Sequence, residues 1–186
     1  MKLKAAGLLL LAGVSTSALA DNLDINLRND ALRATYSMEL SNSMSTDFGF
    51  LYNDDEEQLD DVMLHAGLMV SGENWSDKGT FDISLGGRAI YTTPGAVDLA
   101  AVAFGGKLRF SPVHRLGIGG SAFVAPSITS MMDADGYREF GVQVDYQMLP
   151  QAFVYVGYRN IEVDIVDGPD DVELDEGVNV GFKLLF

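Results

Sequence analysis

The sequence contains no cysteine. No disulfide framework can therefore hold the fold, so packing or a surrounding membrane has to do so. The absence of cysteine also excludes lipid attachment at a cleavage-site cysteine.

Positive charge is scarce. The chain has 12 lysines and arginines against 27 aspartates and glutamates, which gives a formal net charge of −15. Lys2 and Lys4 belong to the N-terminal segment, so residues 21–186 carry a net charge of about −17. This charge argues against nucleic acid or an acidic polymer as a direct partner.

The N-terminal apolar run, Ala5 to Val14, is too short for a membrane-spanning helix, which needs roughly 18 apolar residues. It follows Lys2 and Lys4 and leads to Ala18-Leu19-Ala20, the small-x-small pattern that precedes signal-peptidase cleavage. We therefore expect residues 1–20 to be a secretory signal peptide cleaved after Ala20. Residues 21–186 then suit one domain.

No stretch after the signal shows a sustained 3.6-residue period, so helices are not expected. The sequence alternates instead: residues 32, 34, 36, 38 and 40 are apolar, whereas 33, 35, 37 and 39 are polar, as in a strand with two different faces. Turn-forming pairs such as Pro94-Gly95 separate such runs. Ten candidate strands result: 23–27, 32–40, 48–52, 62–70, 81–91, 97–110, 116–124, 140–148, 152–161 and 178–186.

Alternation fits a soluble β-sandwich as well as a membrane barrel. Strand length, a polar face rich in glycine and mixed charge, and aromatic residues near strand ends favour the barrel. Candidates for its interfacial aromatic girdles are Phe48, Tyr52, Tyr91, Phe110, Tyr137, Phe140, Tyr158 and Phe186. We expect an all-β fold, an antiparallel transmembrane β-barrel of eight to ten strands with ten favoured, in which no edge is left unpaired in lipid.

The last eight residues, Asn179-Val180-Gly181-Phe182-Lys183-Leu184-Leu185-Phe186, resemble the terminal signal of bacterial outer-membrane proteins. The resemblance implies that the barrel-assembly machinery recognises Asn179, Gly181, Leu184 and Phe186. It also implies periplasmic chaperones during biogenesis, outer-membrane lipid and lipopolysaccharide as surroundings, and a monomeric barrel.

Alternation places many charged residues on the inward face. These lumen candidates are Arg33, Glu39, His65, Asp82, Arg88, Lys107, Arg109, Asp145 and Lys183. Barrels of about eight strands are just filled by side chains, so we expect these charges to pair across a largely filled interior. A narrow pore is the alternative.

If both termini face the periplasm, the outer connections are Asn53–Asp60, Thr92–Ala96, Ala125–Gly136 and Glu162–Asp175. Two of them are strongly acidic, around residues 54–61 and 164–176. They could bind Ca²⁺ or Mg²⁺ or a partner. Solvated, mutually repelling loops are the favoured interpretation, because neither cluster has a defined ligand spacing.

The chain offers only two histidines, His65 and His114, as bases for a serine or threonine nucleophile. Neither lies in a recognisable hydrolase motif, and Gly119-Gly120-Ser121 lacks the pattern of a nucleophile elbow. The glycine-rich segments open no helix, so they do not predict phosphate binding. We expect no enzymatic activity and no cofactor.

Three segments stand out beside the signal peptide: Asp21 to Leu32, Val154 to Arg159 and Val178 to Phe186. Together with the signal peptide they resemble the YfaZ family of proteobacterial outer-membrane proteins. The resemblance implies a small barrel in the bacterial outer membrane and supplies no catalytic residues. A structural or narrow-pore role is therefore expected.

Overall fold

The computed structural model describes residues 21–54, 61–76, 79–93, 98–166 and 172–186. The predicted signal peptide, residues 1–20, lies outside these ranges. Among the residues that the structure describes, no helix is long and apolar enough to cross a membrane.

The described residues form eleven strands. They are β1 (Asp21–Leu27), β2 (Ala31–Ser41), β3 (Met44–Asn53), β4 (Asp61–Ser76), β5 (Gly79–Thr92), β6 (Leu99–Val113), β7 (Leu116–Ala125), β8 (Ser130–Met132), β9 (Ala134–Leu149), β10 (Ala152–Ile165) and β11 (Val172–Leu185). A 3₁₀ turn, Ser127–Thr129, precedes β8. Each of the ten predicted strands corresponds to one of the longer strands.

Ten of the strands close into an antiparallel barrel, which confirms the predicted fold class. Each pairs with its neighbour in the chain, except that β7 pairs with β9, and β11 returns to β1. At the closure, Asp21 and Phe186 exchange two backbone hydrogen bonds of 2.9 Å. The three-residue strand β8, which sequence reasoning missed, pairs with the first residues of β6.

Whether the barrel has eight or ten strands depends on whether β1 belongs to its wall. β1 has only seven residues, but it pairs with both β2 and β11 and so belongs to the wall. The turn after it is tight, with the Arg28 amide donating to the Ala31 carbonyl at 2.8 Å. The barrel therefore has ten strands despite this short connection.

The two ends of the barrel differ. The end that carries Asp21 and Phe186, here called the terminal end, has two-residue connections between β2 and β3, β4 and β5, β6 and β7, and β9 and β10. The opposite end, here called the loop end, carries longer connections apart from residues 28–30. This is the asymmetry that the predicted topology requires.

The outer surface is apolar around the whole barrel. All ten wall strands contribute exposed large apolar side chains, with examples such as Leu85, Phe104 and Val178 at 63%, 55% and 67% exposure. Soluble monomers rarely expose continuous apolar surface of this kind. The apolar faces of the alternating strands thus point outward, as predicted for a barrel.

Apolar side chains also fill the interior at the loop end, which the sequence did not predict. This apolar layer comprises Ala31, Leu51, Met63, Ile90, Leu99, Ala101, Ala103, Phe123, Ala125, Ala134, Tyr137, Ile161, Val163 and Leu174. Met69 is also buried, but it is paired with Ser45 nearer the terminal end and lines the polar cavity. Tyr137, assigned from sequence to an interfacial girdle, is only 2% exposed and lies inside the barrel. Its hydroxyl group finds an acceptor there, which a buried tyrosine needs.

A β-bulge adds one residue to this layer. Ile161 pairs with Asp175 and Glu162 with Glu173, so Leu174 is the extra residue of β11. Leu174 and Asp175 are consecutive, yet both are buried, at 1% and 2% exposure. The bulge interrupts the strict alternation of faces and so places two neighbours inside.

Glycines make room for the large interior side chains. A Cβ atom on Gly49 would lie 2.0 Å from the His65 ring, and one on Gly181 would lie 2.0 Å from the Tyr155 ring. Each ring therefore packs against a bare backbone on the neighbouring strand. The glycines of the polar face are required by this close approach.

We predict that Gly49→Ala destabilises the barrel by about 1–3 kcal/mol, because His65 is buried and the added methyl group overpacks the interior. Gly72→Ala is the matched control, since a Cβ there meets no atom within 4 Å. Urea unfolding of both variants in lipid vesicles measures the difference. Equal midpoints for the two variants would contradict the close-packing argument.

Candidate functional site

The interior is built in three layers along the barrel axis. On β5 the inward residues run from Ile90 at the loop end through Arg88 to Ser84 and Asp82 at the terminal end. β6 has the same order, with Leu99 and Ala101 followed by Lys107, whereas on β4 Met69 lies among the polar residues of the cavity. The charged residues form the middle layer, between the apolar layer and a polar cavity.

A chain of ion pairs crosses the middle layer. Arg88 donates to Asp47 at 2.9 Å and to Glu139 at 3.1 Å, and Arg33 donates to Glu139 at 2.8 Å. Lys107 adds a bond of 3.1 Å to Asp47. The two carboxylates are 2% and 4% exposed in their side chains, so their charges depend on these partners.

Arg88 also joins the charged layer to the apolar layer. Its guanidinium carbon lies 3.9 Å from the centroid of the Phe123 ring, a cation–π geometry. The Tyr137 hydroxyl donates to Glu139 at 2.9 Å from the same side. One arginine therefore fixes two carboxylates and one aromatic ring of the apolar layer.

His65 lies next to this chain without the partners that a catalytic base needs. Its Nε2 is 3.8 Å from Asp47 Oδ1, and neither ring nitrogen makes a hydrogen bond within the described part of the chain. No serine or threonine hydroxyl is bonded to it there. Its packing against Gly49 indicates a structural residue.

A second polar network connects β10, β11 and β1. Arg159 donates to Asp175 at 2.5 Å and to Asn26 at 3.0 Å. Asn26 donates in turn to Asn179 at 2.7 Å and to Tyr155 at 3.1 Å. The strands that meet at the closure are thus also joined by side chains inside the barrel.

A third pair lies nearer the terminal end. Arg109 donates to the two oxygens of Asp145 at 2.9 Å and 2.5 Å, a bidentate arrangement that is stronger than a single bond. Asp82 is farther from Arg109, at 3.9 Å. Arg109 lies on β6 and Asp145 on β9, the two strands that flank β7 in the barrel wall.

The polar layer surrounds a cavity of about 390 Å³. Of the nine predicted lumen charges, seven line it: Arg33, Glu39, Asp82, Arg88, Lys107, Arg109 and Lys183. Asp145 lies behind Arg109, and His65 lies toward the apolar layer. The hydroxyl residues of the cavity include Ser84 and Ser121, which were not predicted from the sequence to line the lumen.

The four residues of the predicted assembly signal have separate places in β11 and at the chain end. Asn179 is buried in the interior network, and Gly181 accommodates the Tyr155 ring. Leu184 pairs with Leu23 of β1, and the Phe186 ring stacks on Tyr36 with centroids 6.4 Å apart. Gly181 also pairs with Asn26 of β1, so all four positions contact β1 or β2 at the closure of the barrel.

The acidic clusters are only partly described, since residues 55–60 and 167–171 lie outside the described ranges. Asp175, which is described, pairs with Arg28 at 2.9 Å as well as with Arg159. In the described part of the chain, no group of three or more histidine, cysteine, aspartate or glutamate side chains could hold a metal ion.

Comparison with known proteins gives a family and a number of similar solved structures. A family model described as YfaZ precursor matches residues 1–186. The chain is similar to the NanC porin, with a TM-score of 0.47 and 12% identity over 90% of this chain and 99% of that one. It is also similar to the outer membrane channel DcaP of Acinetobacter baumannii, with a TM-score of 0.43 and 14% identity over 88% of this chain and 54% of that one. No curated protein sequence matches the chain.

We predict that Arg88→Met destabilises the barrel by about 3–5 kcal/mol, because Asp47 and Glu139 each lose a buried partner. Arg138→Met is the control. Its pair with Asp164 is half exposed, and exposed pairs contribute at most about 1 kcal/mol. The urea midpoint measures both changes, and a loss for Arg88→Met no larger than for Arg138→Met would show that the middle layer is not a stabilising element.

Proposed function

The chain belongs to the YfaZ precursor family, and we propose that it is an exported, integral outer-membrane β-barrel whose lumen is closed at the loop end. The family match agrees with the resemblance seen in the sequence. The observation that carries the proposal is the combination of an apolar outer surface with an interior sealed by the chain's own side chains.

The membrane location is supported by the backbone and by the surface. A closed ring of ten strands leaves no unpaired sheet edge, which hydrocarbon would penalise by several kcal/mol for each bare polar group. The exposed apolar residues on every wall strand then face lipid. The secretory pattern at residues 1–20 supplies the route of export, with cleavage after Ala20 as its predicted end.

The loop end is proposed to face outward and the terminal end to face the periplasm. Short connections at the terminal end and longer ones at the loop end support this orientation. Recognition of Asn179, Gly181, Leu184 and Phe186 by the assembly machinery stays a prediction, as does cation binding by the acidic loops.

The closed lumen supports a structural, non-enzymatic role. The apolar layer and the ion-paired layer lie one above the other, so a hydrated solute would have to displace both. Within the described residues, His65 has no hydroxyl partner for nucleophilic catalysis.

A narrow pore is the second candidate, and one observation favours it. The cavity of about 390 Å³ extends from the terminal end to Arg88 and Glu139. Side chains therefore fill only the part of the interior nearer the loop end. Side chains rather than an inserted element close the described lumen there. Rearrangement of a few of them would connect the cavity to the loop end.

The location is tested by solubility and by gel migration. The chain that begins at Asp21 is expected to need detergent and to migrate differently when heated, because a closed barrel resists unfolding in cold detergent. A protein that stays soluble and monomeric without detergent would contradict the membrane location and favour a β-sandwich.

The seal is tested by conductance in planar bilayers. The unaltered protein is expected to show no resolved channels in repeated insertions. Leu51→Ala with Phe123→Ala should produce resolved conductance steps, because both side chains are only 1% exposed inside the apolar layer and the loss of the Phe123 ring also releases Arg88 of the middle layer. Leu64→Ala with Phe104→Ala is the matched control, since these residues are 48% and 55% exposed on the outer surface. Resolved channels in the unaltered protein would establish the pore and overturn the seal.

A further inference from the structure

Positive charge is scarce in the chain but concentrated around the cavity. Of the ten lysines and arginines that follow residue 20, six line it. They are Arg33, Arg88, Lys107, Arg109, Arg159 and Lys183. The cavity therefore gathers most of the cations of a strongly acidic protein.

Five acidic residues also line the cavity: Asp24, Glu39, Asp47, Asp82 and Glu139. Arginine side chains bind the buried carboxylates Asp47, Glu139, Asp145 and Asp175. Glu139 accepts bonds from Arg33 and Arg88, and Asp145 accepts two from Arg109. A carboxylate that is saturated in this way has little capacity left for a further cation. Arg33, Arg88, Arg109 and Arg159 are each paired with at least one of these carboxylates.

The two lysines of the cavity have fewer close partners. Lys107 makes one hydrogen bond, of 3.1 Å to Asp47, while Lys183 Nζ is 3.7 Å from Asp24 Oδ2, beyond hydrogen-bonding distance. An ammonium group has three donors, so most of these donors face the cavity that both residues line. Their side chains are 41% and 31% exposed.

The positions of the two lysines suit one small ligand. Lys107 belongs to β6 and Lys183 to β11, four strands apart in a ring of ten, so they project from nearly opposite walls. Both side chains line the same cavity. An anionic group between them would supply acceptors for the ammonium donors that the protein leaves unused.

Hydroxyl groups flank one of the lysines. The strand register pairs Lys107 with Ser84 on one side and with Ser121 on the other. Ser71 extends the row, with its hydroxyl oxygen 2.8 Å from that of Ser84. All four residues line the cavity, so a ligand held at Lys107 would meet several hydroxyl groups.

We propose that the cavity binds a small hydroxylated anion, with its carboxylate or phosphate between Lys107 and Lys183 and its hydroxyl groups against Ser84 and Ser121. The volume of about 390 Å³ is within the range of small-molecule sites. The site lies below the apolar layer, so binding requires no passage through the barrel. The proposal is independent of whether the lumen conducts.

Isothermal titration calorimetry of the folded protein in an uncharged detergent tests the site. Sodium gluconate and glycerol 3-phosphate are the two anionic probes, sorbitol is the uncharged polyol, and acetate is the anion without hydroxyl groups. Saturable binding of either anionic probe, with none of sorbitol and weaker binding of acetate, is expected. Sorbitol binding as tight as the anions, or no binding of either anionic probe, would overturn the proposal, and acetate binding as tight would overturn the role of the hydroxyl groups.

Three variants locate the ligand. Lys183→Gln should weaken binding at least about tenfold, whereas Lys183→Arg, which keeps the charge, should stay within about threefold. Arg138→Gln removes the same charge from an exposed site in the half of β9 nearer the loop end and should leave binding unchanged. Heat-modifiable migration verifies that each variant is folded. Binding by Lys183→Gln as tight as that of the unaltered protein would exclude this site.

Discussion

A ten-stranded barrel leaves an interior only a few side chains wide, and the rest of the structure depends on this limit. Every large inward side chain has to lie over a bare backbone or meet a partner from another strand. His65 over Gly49, Tyr155 over Gly181 and Phe123 beside Gly105 are three cases of the first solution. The glycines of the polar face are thus a consequence of the small diameter, and they fix where each ring can lie.

Ion pairs between strands are the second way in which the narrow interior accommodates large inward side chains. Removing a charge from water costs several kcal/mol, which a buried pair recovers only with good geometry and further hydrogen bonds. Arg88 meets these conditions by reaching two carboxylates and the face of Phe123 at once. Its position on β5, three strands from β9 around the ring of ten, allows Glu139 to reach it across the curve of the wall. The middle layer is therefore specified by strand order as much as by residue type.

Much of this architecture follows from the alternation of apolar and polar residues along the sequence, which has a period of two. Alternation predicts ten strands, their outward apolar faces and the inward charges, because each wall strand has one lipid-like and one polar face. It cannot predict the apolar layer, since in a segment such as Leu99 to Phe104 both faces are apolar and periodicity disappears. Nor can it predict the bulge at Leu174 or the partners of Arg88, because these depend on register and on which strands lie opposite.

The apolar layer and the middle layer are coupled through one contact. Phe123 cannot leave its position above Gly105 without losing the Arg88 guanidinium, a contact of up to about 2 kcal/mol when desolvated. Movement of Arg88 would in turn leave Asp47 and Glu139 with fewer buried partners. Opening the lumen therefore requires both layers to rearrange together, so the closed state is held by more than the apolar side chains that occlude it.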